Sequence, residues 1–273
     1  MLHASGSGEM TYPLATYRDR KVVEKRKMVV QPIKTRLSCC DFTRLKNPKA
    51  GKGQAYIPTD YEHIANIVTH GMMIIPSMFG TWWMVCIAKT KLQTFIAWIF
   101  GFALISLFTT SSLFHLFAFM GECKTLKYIF HIGDRAVIYL FIASSYTPWL
   151  TLREFNGIGD EVLSIVWTMA VVGILYQYIF HEKYKILELL LYLIIGVCPA
   201  IVVCLQRQAA GMFELALGGA TYILGVVFFK MDGRMPFAHA IWHCFVAGGA
   251  LWHYYAICTH LLGHDHDELA MHL

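Results

Sequence analysis

Two histidines four residues apart, His239 and His243, stand in the apolar stretch PFAHAIWHCFVAGGALWHYYAI at residues 236–257. Side chains with this spacing lie on one face of a helix, which is how a helix presents two ligands to one metal ion. Ionisable side chains within a membrane are costly and indicate function by default. The pair alone fits an interhelical hydrogen-bonding role as well as metal binding, so its assignment depends on further ligands elsewhere in the chain.

Further groups of this kind occur in two other apolar stretches. The segment TTSSLFHLF places Ser111 and His115 four residues apart, and HIGDRAVIYLFIASSYTPWL carries Asp134 and Arg135. Three neutral imidazoles and a water form the open, tetrahedral kind of zinc site found in catalysis. Asp134 is then the candidate to hydrogen-bond that water and act as general base. Ser111 is either a supporting or substrate-contacting hydroxyl, or a small side chain that permits close helix packing.

The composition of the chain is that of a polytopic membrane protein. Of its 273 residues, 56% are hydrophobic and 15% are charged, and the mean hydropathy is +0.49. A soluble domain carries about 25% charged residues. Twelve of the 23 lysines and arginines fall in residues 1–60, so the net charge of +5 belongs to the N-terminal arm and does not indicate a nucleic-acid surface.

Seven stretches are long and apolar enough to cross a bilayer, which requires about 20 helical residues. They cover residues 63–87, 94–117, 134–152, 162–180, 186–205, 213–229 and 236–262. We therefore predict an all-α fold, a seven-transmembrane helix bundle over residues 59–262. The basic arm, residues 1–58, is predicted to be cytosolic and disordered, and residues 263–273 form a tail rich in histidine and aspartate.

The distribution of basic residues sets the predicted orientation, because cytoplasmic segments of membrane proteins are enriched in lysine and arginine. With the N-terminus in the cytosol, the cytosolic segments hold the basic arm and six further basic residues, whereas the opposite segments hold four. The cytosolic residues are Lys124, Lys127, Lys183, Lys185, Lys230 and Arg234, and the opposite ones are Lys89, Lys91, Arg153 and Arg207. The C-terminus is therefore predicted on the side opposite the cytosol.

This orientation brings the candidate ligands to one depth of the membrane. The second span runs toward the cytosol and ends near His115, whereas the third and seventh spans start on the cytosolic side near Asp134 and the His239/His243 pair. Agreement in side and depth among three distant stretches favours metal binding over separate structural roles. We predict that His115, His239 and His243 bind zinc as the cofactor, and that Asp134 and Ser111 are catalytic residues.

The first span opens with YEHIANIVTHG, in which Asn66 and His70 share a helix face on the predicted cytosolic side. Two interpretations stay open: these side chains support a metal ligand, or they form a polar network between helices, which we favour. His253 follows His243 by ten residues, about 15 Å of helix rise. We therefore expect His253 to be too distant to bind the same ion.

These motifs resemble those of the progestin and adipoQ receptor family, which includes hemolysin III-like proteins and belongs to a wider superfamily with the alkaline ceramidases. The matching features are Ser111 and His115 separated by three residues, Asp134 in the third span, and the pair His239 and His243 in the seventh. The strings YEHIANIVTHG, DRAVIYLFIASSYTPWL, HEKYKILEL, LGVVFFKMDG and PFAHAIWHCFVA look closest to the monocyte to macrophage differentiation factor branch.

The resemblance covers residues 59–258 and implies a seven-helix bundle in which His115, His239 and His243 hold zinc while Asp134 orients a water. The adiponectin receptor branch implies an amidase that acts on ceramide-like lipids. The branch that looks closest implies instead signalling through Ras and ERK, with the protein in Golgi, late endosomal, lysosomal or plasma membranes.

Two functions follow as expectations. The first is a zinc-dependent hydrolase whose substrate is a ceramide-like lipid of the membrane. The alternative is a non-enzymatic membrane receptor or scaffold, in which zinc is structural and the arm of residues 1–58 recruits signalling proteins or anionic lipid. A cation transporter is less well supported, because the sequence shows no inverted repeat and no interrupted helix pair of the kind that marks transporter sites.

Overall fold

Seven α-helices make up the part of the chain that the computed structural model describes, which is residues 45–51, 56–155, 157–205 and 210–263. They are α1 (Asp60–Ile87), α2 (Lys91–Met120), α3 (Lys124–Leu152), α4 (Ile158–Phe180), α5 (Lys185–Cys204), α6 (Met212–Phe229) and α7 (Ala238–His260). Each predicted span coincides with one helix to within about a turn, except the third. The arm up to residue 44 and the tail from residue 264 lie outside the described residues.

Five of these helices, α1, α2, α4, α5 and α6, are long and apolar enough to cross a membrane. Large apolar side chains are exposed on them, such as Phe79, Phe102 and Tyr178, with 67%, 65% and 73% of their surface accessible. Soluble proteins rarely expose continuous apolar surface of this kind, whereas lipid accommodates it. The chain is a polytopic helical membrane protein.

The other two helices, α3 and α7, are less apolar and carry most of the predicted site. In α3, every side chain from residue 143 to residue 150 is buried. Small residues and hydroxyls permit this packing, because Ser145 and Thr147 donate hydrogen bonds to carbonyl oxygens of their own helix at 2.7 and 2.9 Å. A helix surrounded by protein can include polar side chains that a lipid-facing helix cannot.

The third helix begins at Lys124, ten residues before the span predicted at 134–152. The preceding helix ends at Gly121, whose φ of 74° is the left-handed conformation that commonly terminates helices. The first ten residues of α3 are less apolar than a membrane span, but they contain no proline and continue the helix without interruption. Asp134 therefore lies about three turns inside α3 rather than at its start.

Part of the segment assigned to the arm packs on the membrane domain. Asn47 is 2% exposed, and its side-chain oxygen accepts the backbone N–H of Gly233 at 3.1 Å. Gly233 has a φ of 73°, and a Cβ atom there would lie 2.4 Å from the Cα atom of Lys49. Residues 45–51 therefore lie closely against the connection between α6 and α7.

The helices that carry the predicted ligands meet through α1. This helix packs against α2 and α7, and α7 also touches α3. Gly101 permits the close approach of α2 to α1, because a Cβ atom there would lie 2.2 Å from the side chain of Thr81. The end of α2 and the start of α7 therefore come together beside the first turns of α1.

Candidate metal centre

Three histidines converge between the end of α2 and the start of α7. The candidate ligand atoms of His115, His239 and His243 all lie within 4.8 Å of one another. Their ring centroids are 4.7, 5.2 and 5.3 Å apart, and His115 and His243 are 0% and 2% exposed. We call this group the three-histidine site. The structure thus brings together all three histidines that were predicted as ligands.

At two of the three rings, the partner of the Nδ1 atom accepts a hydrogen bond. The Nδ1 atom of His239 lies 3.2 Å from the carboxylate of Asp232, which accepts its hydrogen bond. The Nδ1 atom of His243 lies 3.2 Å from the hydroxyl oxygen of Thr69, whose own proton goes to the carbonyl oxygen of Ala65 at 2.8 Å. Both rings therefore carry the proton on Nδ1, which leaves the Nε2 lone pair for a metal ion.

The third ring, His115, is held by Asn66 of α1. The Asn66 amide lies 3.4 Å from the Nδ1 atom of His115 and 3.2 Å from the hydroxyl of Tyr56. The amide nitrogen lies on this side and donates to the Tyr56 hydroxyl. The same amide turned over by 180° would accept the Nδ1–H of His115 and leave the Nε2 atom of that ring for a metal ion. The Nε2 atom of His115 is buried and has no hydrogen-bond partner among the described residues.

Glu62 fixes the start of α7 relative to α1. One of its carboxylate oxygens accepts the backbone N–H of Thr59 at 3.0 Å, and the Thr59 hydroxyl accepts the N–H of Glu62, which forms a capping box. The other oxygen accepts the N–H of Phe237, the N-cap residue of α7, at 3.1 Å. Phe237 has a φ of 56°, in the left-handed region. Glu62 thus fixes, through a hydrogen bond, the backbone of the residue two positions before His239.

Aromatic rings enclose the three-histidine site. His70 stacks on His243 with ring centroids 3.7 Å apart, and Tyr56 stacks on His239 at 4.9 Å. Neither ring nitrogen of His70 has a hydrogen-bond partner in the described part of the chain. The polar side chains of the first span therefore contact the candidate ligands directly. The polar network between helices and the support of the metal ligands, the two roles considered for this span, are the same set of contacts.

Asp134 lies beside the three-histidine site without belonging to it. Its carboxyl group interacts with His239 and with the hydroxyl of Ser111, but it is not among the atoms that converge within 4.8 Å. Ser111 is 1% exposed, and its oxygen makes no hydrogen bond of normal geometry to a described residue. This placement is compatible with a carboxylate that acts on a water rather than on the metal ion itself.

The donor set of the three-histidine site fits a divalent metal ion. Three neutral imidazoles in a buried space provide a ligand set that suits zinc, copper, iron or nickel. A buried ring nitrogen without a partner, as in His115, is unfavourable unless something binds to it. The carboxylate of Asp232 lies close to the same space. These features support a metal ion held by the three rings.

The residues that orient the ligands carry little signal in the sequence. Asp232 lies in KMDG, a string typical of a turn, and Thr69 resembles the many threonines that bond to their own helix backbone. Asp232 lies outside α7, so its seven-residue spacing from His239 does not by itself predict a contact. Glu62 is recognisable as a capping residue after Thr59, but its bond to Phe237 depends on tertiary structure.

The fold and the site together define a class, a polytopic helical membrane protein with a buried histidine cluster shared between helices. A family model described as haemolysin-III related matches residues 61–254. Monocyte to macrophage differentiation factor from Homo sapiens is 45% identical over 221 residues, which is 81% of this chain and 93% of that protein. The hemolysin-3 homolog of Bacillus subtilis is 33% identical over 198 residues, which is 69% of this chain and 89% of that protein.

The chain therefore belongs to the haemolysin-III related family. The family match begins in the first turn of α1 and ends within α7, so it contains all of the three-histidine site. The resemblance to progestin and adipoQ receptor and hemolysin III-like proteins, inferred from the three motifs, is confirmed.

Proposed function

We propose that this protein is a zinc-dependent membrane hydrolase that cleaves the amide bond of a ceramide-like lipid. The observation that carries the proposal is the three-histidine site, in which the Nδ1 atom of each ring has its own partner while the ligand atoms converge. Asp134 lies nearby, is not one of the converging groups, and is free to handle a proton. A buried metal site with an adjacent carboxylate is the arrangement that metal-assisted hydrolysis requires.

The roles of the residues follow from their positions. His115, His239 and His243 would hold a zinc ion, which when bound would supply Lewis-acid activation of water and of the amide carbonyl. Asp134 accepts the proton that the attacking water loses and passes it to the departing amine. The water oxygen bonds to the carbonyl carbon, the C–N bond breaks, and the products are a carboxylic acid and an amine. The buried Ser111 hydroxyl, next to Asp134, contacts the substrate or the attacking water.

An apolar groove between α1, α2 and α7 supports access for a lipid chain. Its lining includes Leu104, Phe108, Leu251 and Tyr254. Phe108 also packs edge-on against His70 with 5.1 Å between ring centroids, so one aromatic layer separates the groove from the three-histidine site. An acyl chain lying in this groove would bring its amide group toward the histidines.

The central test compares Asp134→Asn with the wild type as purified full-length protein in detergent micelles. Zinc content is measured by mass spectrometry, and hydrolysis of a fluorescent short-chain ceramide is followed by chromatography. Loss of the general base should lower the rate by about 10²–10⁴-fold, while zinc content stays unchanged because Asp134 is not a ligand. Asp160→Asn, the same change at an exposed carboxylate of α4, is the matched control and should retain full activity.

Two results would contradict this proposal: wild-type protein without stoichiometric zinc, or undiminished hydrolysis by Asp134→Asn. A third result, zinc-loaded protein that hydrolyses none of a series of ceramides, would favour the alternative function. In that case zinc is structural, and the protein is a receptor or scaffold whose arm recruits signalling proteins.

We further propose seven membrane crossings with the N-terminus in the cytosol, supported by the charge bias of the connections. Exposed native cysteines provide the test, because Cys123 precedes α3 whereas Cys86 and Cys204 lie at the far ends of α1 and α5. In sealed microsomes, an impermeant maleimide should label a variant that retains Cys123 alone. Variants that retain Cys86 or Cys204 alone should be labelled only after detergent is added. The reverse pattern would overturn the orientation.

The compartment and the signalling output complete the proposal. The name of the human relative connects that protein with the differentiation of monocytes into macrophages. For this chain we propose residence in Golgi, late endosomal, lysosomal or plasma membranes and an output through Ras and ERK. Imaging a tagged chain against organelle markers tests the location, with staining of none of these membranes as the contrary result. ERK phosphorylation in cells that carry Asp134→Asn tests whether the output depends on hydrolysis.

A further inference from the structure

A second group of metal-ligand side chains lies where α3 meets the connection between α4 and α5. His131 of α3, with His181 and Glu182 of that connection, offers ligand atoms within 4.8 Å of one another. We call this group the junction cluster. The Nδ1 atom of His131 lies 2.9 Å from the Nε2 atom of His181, and the Nε2 atom of His131 lies 3.4 Å from a Glu182 oxygen.

We propose that the junction cluster binds a second divalent transition-metal ion, with zinc as the preferred metal. Two histidines and one glutamate are the ligand set of several open zinc sites. Two nitrogens bound to one zinc ion at a tetrahedral angle lie about 3.3 Å apart. The 2.9 Å spacing between the two rings therefore has to widen only slightly, as a metal ion replaces the proton that the rings share.

His181 and Glu182 are in the protonation states that metal binding requires. Burial, followed by the neighbouring His131, lowers the pKa of His181 to about 4, so this ring is neutral near pH 7. Burial favours a higher pKa for Glu182, but the hydrogen bond from His131 and the charges of Arg135 and Lys185 outweigh it and hold that pKa well below its usual range. The junction cluster thus offers the neutral imidazole of His181 and the carboxylate of Glu182, next to the ring of His131.

Glu182 is engaged with neighbouring cations, with which a metal ion has to compete. Arg135 donates hydrogen bonds to both oxygens of Glu188 at 2.8 and 2.9 Å, and it also contacts Glu182. Glu188 can neutralise Arg135 without Glu182, whereas Lys185 lies 2.8 Å from a Glu182 oxygen. Lys185 and a metal ion therefore compete for the same carboxylate.

The backbone holds Glu182 in place despite its position in a connection between helices. Its φ is 62°, in the left-handed region that residues other than glycine rarely adopt. Such a conformation persists where the surroundings fix the residue, and it is frequent at functional sites. The result is a carboxylate that is 8% exposed and directed toward the two rings, unlike the solvated side chain expected of a surface glutamate.

The test measures metal stoichiometry on the purified full-length chain in micelles, with Zn²⁺ alone as the probe. We expect about two zinc ions per wild-type chain, since each cluster holds one ion when its ligands are intact. Glu182→Gln and His181→Gln should each retain the ion of the three-histidine site and lose the other. His243→Ala should show the opposite loss. A wild-type chain with a single zinc ion, lost in His243→Ala, overturns the second site and leaves the proposed function untouched.

A second variant avoids removing any ligand. Lys185→Met removes the competing cation, so zinc binding at the junction cluster should tighten by about twofold to fivefold, the effect of one partly exposed ion pair. If the cluster is only a network of hydrogen bonds and ion pairs, this variant lowers thermal stability and leaves zinc affinity unchanged, which overturns the proposal. Lys183→Met, at an exposed lysine of the same connection, is the matched control. Absorption of Co²⁺ added to His243→Ala protein reports on the junction cluster directly.

Discussion

The three-histidine site and the junction cluster present similar ligands, but different partners hold those ligands. In the three-histidine site, each ring is paired through its Nδ1 atom with Asn66, Thr69 or Asp232, which are neutral or anionic side chains. In the junction cluster, the carboxylate is shared with the cations of Arg135 and Lys185, and the two rings are bonded to each other. The same residue types therefore differ in what a metal ion must displace before it can bind to them.

This difference teaches that ligand identity and spacing do not alone determine metal occupancy. A ring whose other nitrogen already has a partner gives up nothing when a metal ion binds, because its tautomer is set in advance. A carboxylate engaged in ion pairs must release a cation first. We therefore expect tight binding at the three-histidine site and weaker, exchangeable binding at the junction cluster.

The largest effect should follow from removing a ligand of the three-histidine site. His243→Ala should abolish zinc binding there and reduce hydrolysis to background, while the junction cluster keeps its ion. Zinc content by mass spectrometry, together with thermal unfolding, distinguishes loss of metal from loss of fold. His253→Ala is the matched control, because His253 is a buried histidine of the same helix, 8% exposed and outside both clusters. Loss of both ions from folded His243→Ala protein would show that the clusters are not independent.

A smaller effect is expected for Asp232→Asn. The asparagine keeps the size of the side chain but removes the charge that makes the His239 ring a stronger ligand, and changes of this kind lower metal affinity by about 10–100-fold. Competition with a fluorescent zinc chelator measures the affinity, with Asp160→Asn as the control for loss of an acidic charge. An unaltered affinity would show that the Nδ1 hydrogen bond does not hold the ring for metal binding.

Thr69→Val should have a weaker effect than Asp232→Asn, because the Thr69 hydroxyl is neutral. Losing one neutral hydrogen bond to His243 should reduce zinc affinity by about 2–10-fold. The same chelator competition applies. Thr81→Val is the matched control, since it removes a buried hydroxyl of the same helix that donates to the Ser77 carbonyl oxygen at 2.7 Å. An equal loss in both variants would assign the effect to α1 as a whole.

The smallest effect concerns Phe114, which lies between the two clusters. Its ring stacks on His131 at 4.4 Å and contacts His115 at 4.7 Å. Phe114→Leu should lower zinc affinity at both clusters by about twofold to fivefold, a modest coupling between residues in contact. Phe100→Leu, a buried change on the same helix next to Phe141, should lower neither. If only one cluster responds, the two are not coupled through this ring.

The helices and the three histidines could be predicted from the sequence because they follow local rules. Apolar runs of membrane length identify helices, and the spacing of His239 and His243 puts both rings on one helix face. His115 could be added because counting the crossings and the basic residues predicts the side of the membrane on which each helix ends. These predictions need no knowledge of how the helices are rotated against one another.

The partners of the ligands depend on that rotation and could not be predicted. Thr69 reaches His243 only because α1 turns this face toward α7, and Asp232 reaches His239 through the path of a short connection. The junction cluster could not be predicted from the sequence for another reason. His131 stands in the part of α3 where hydropathy falls while the helix continues, so a search for apolar spans ends before reaching it.

The stacking of Tyr56 on His239 and the contact of Asn47 with Gly233 determine how the N-terminal arm can be removed without damage. A truncation at the predicted boundary, residue 58, also removes Tyr56, whose ring stacks on His239 of the three-histidine site. A shortened protein of that kind would lose signalling whether or not the arm recruits a partner. A truncation that keeps residues 45–58 retains both contacts, so any defect it shows can be assigned to the deleted residues alone.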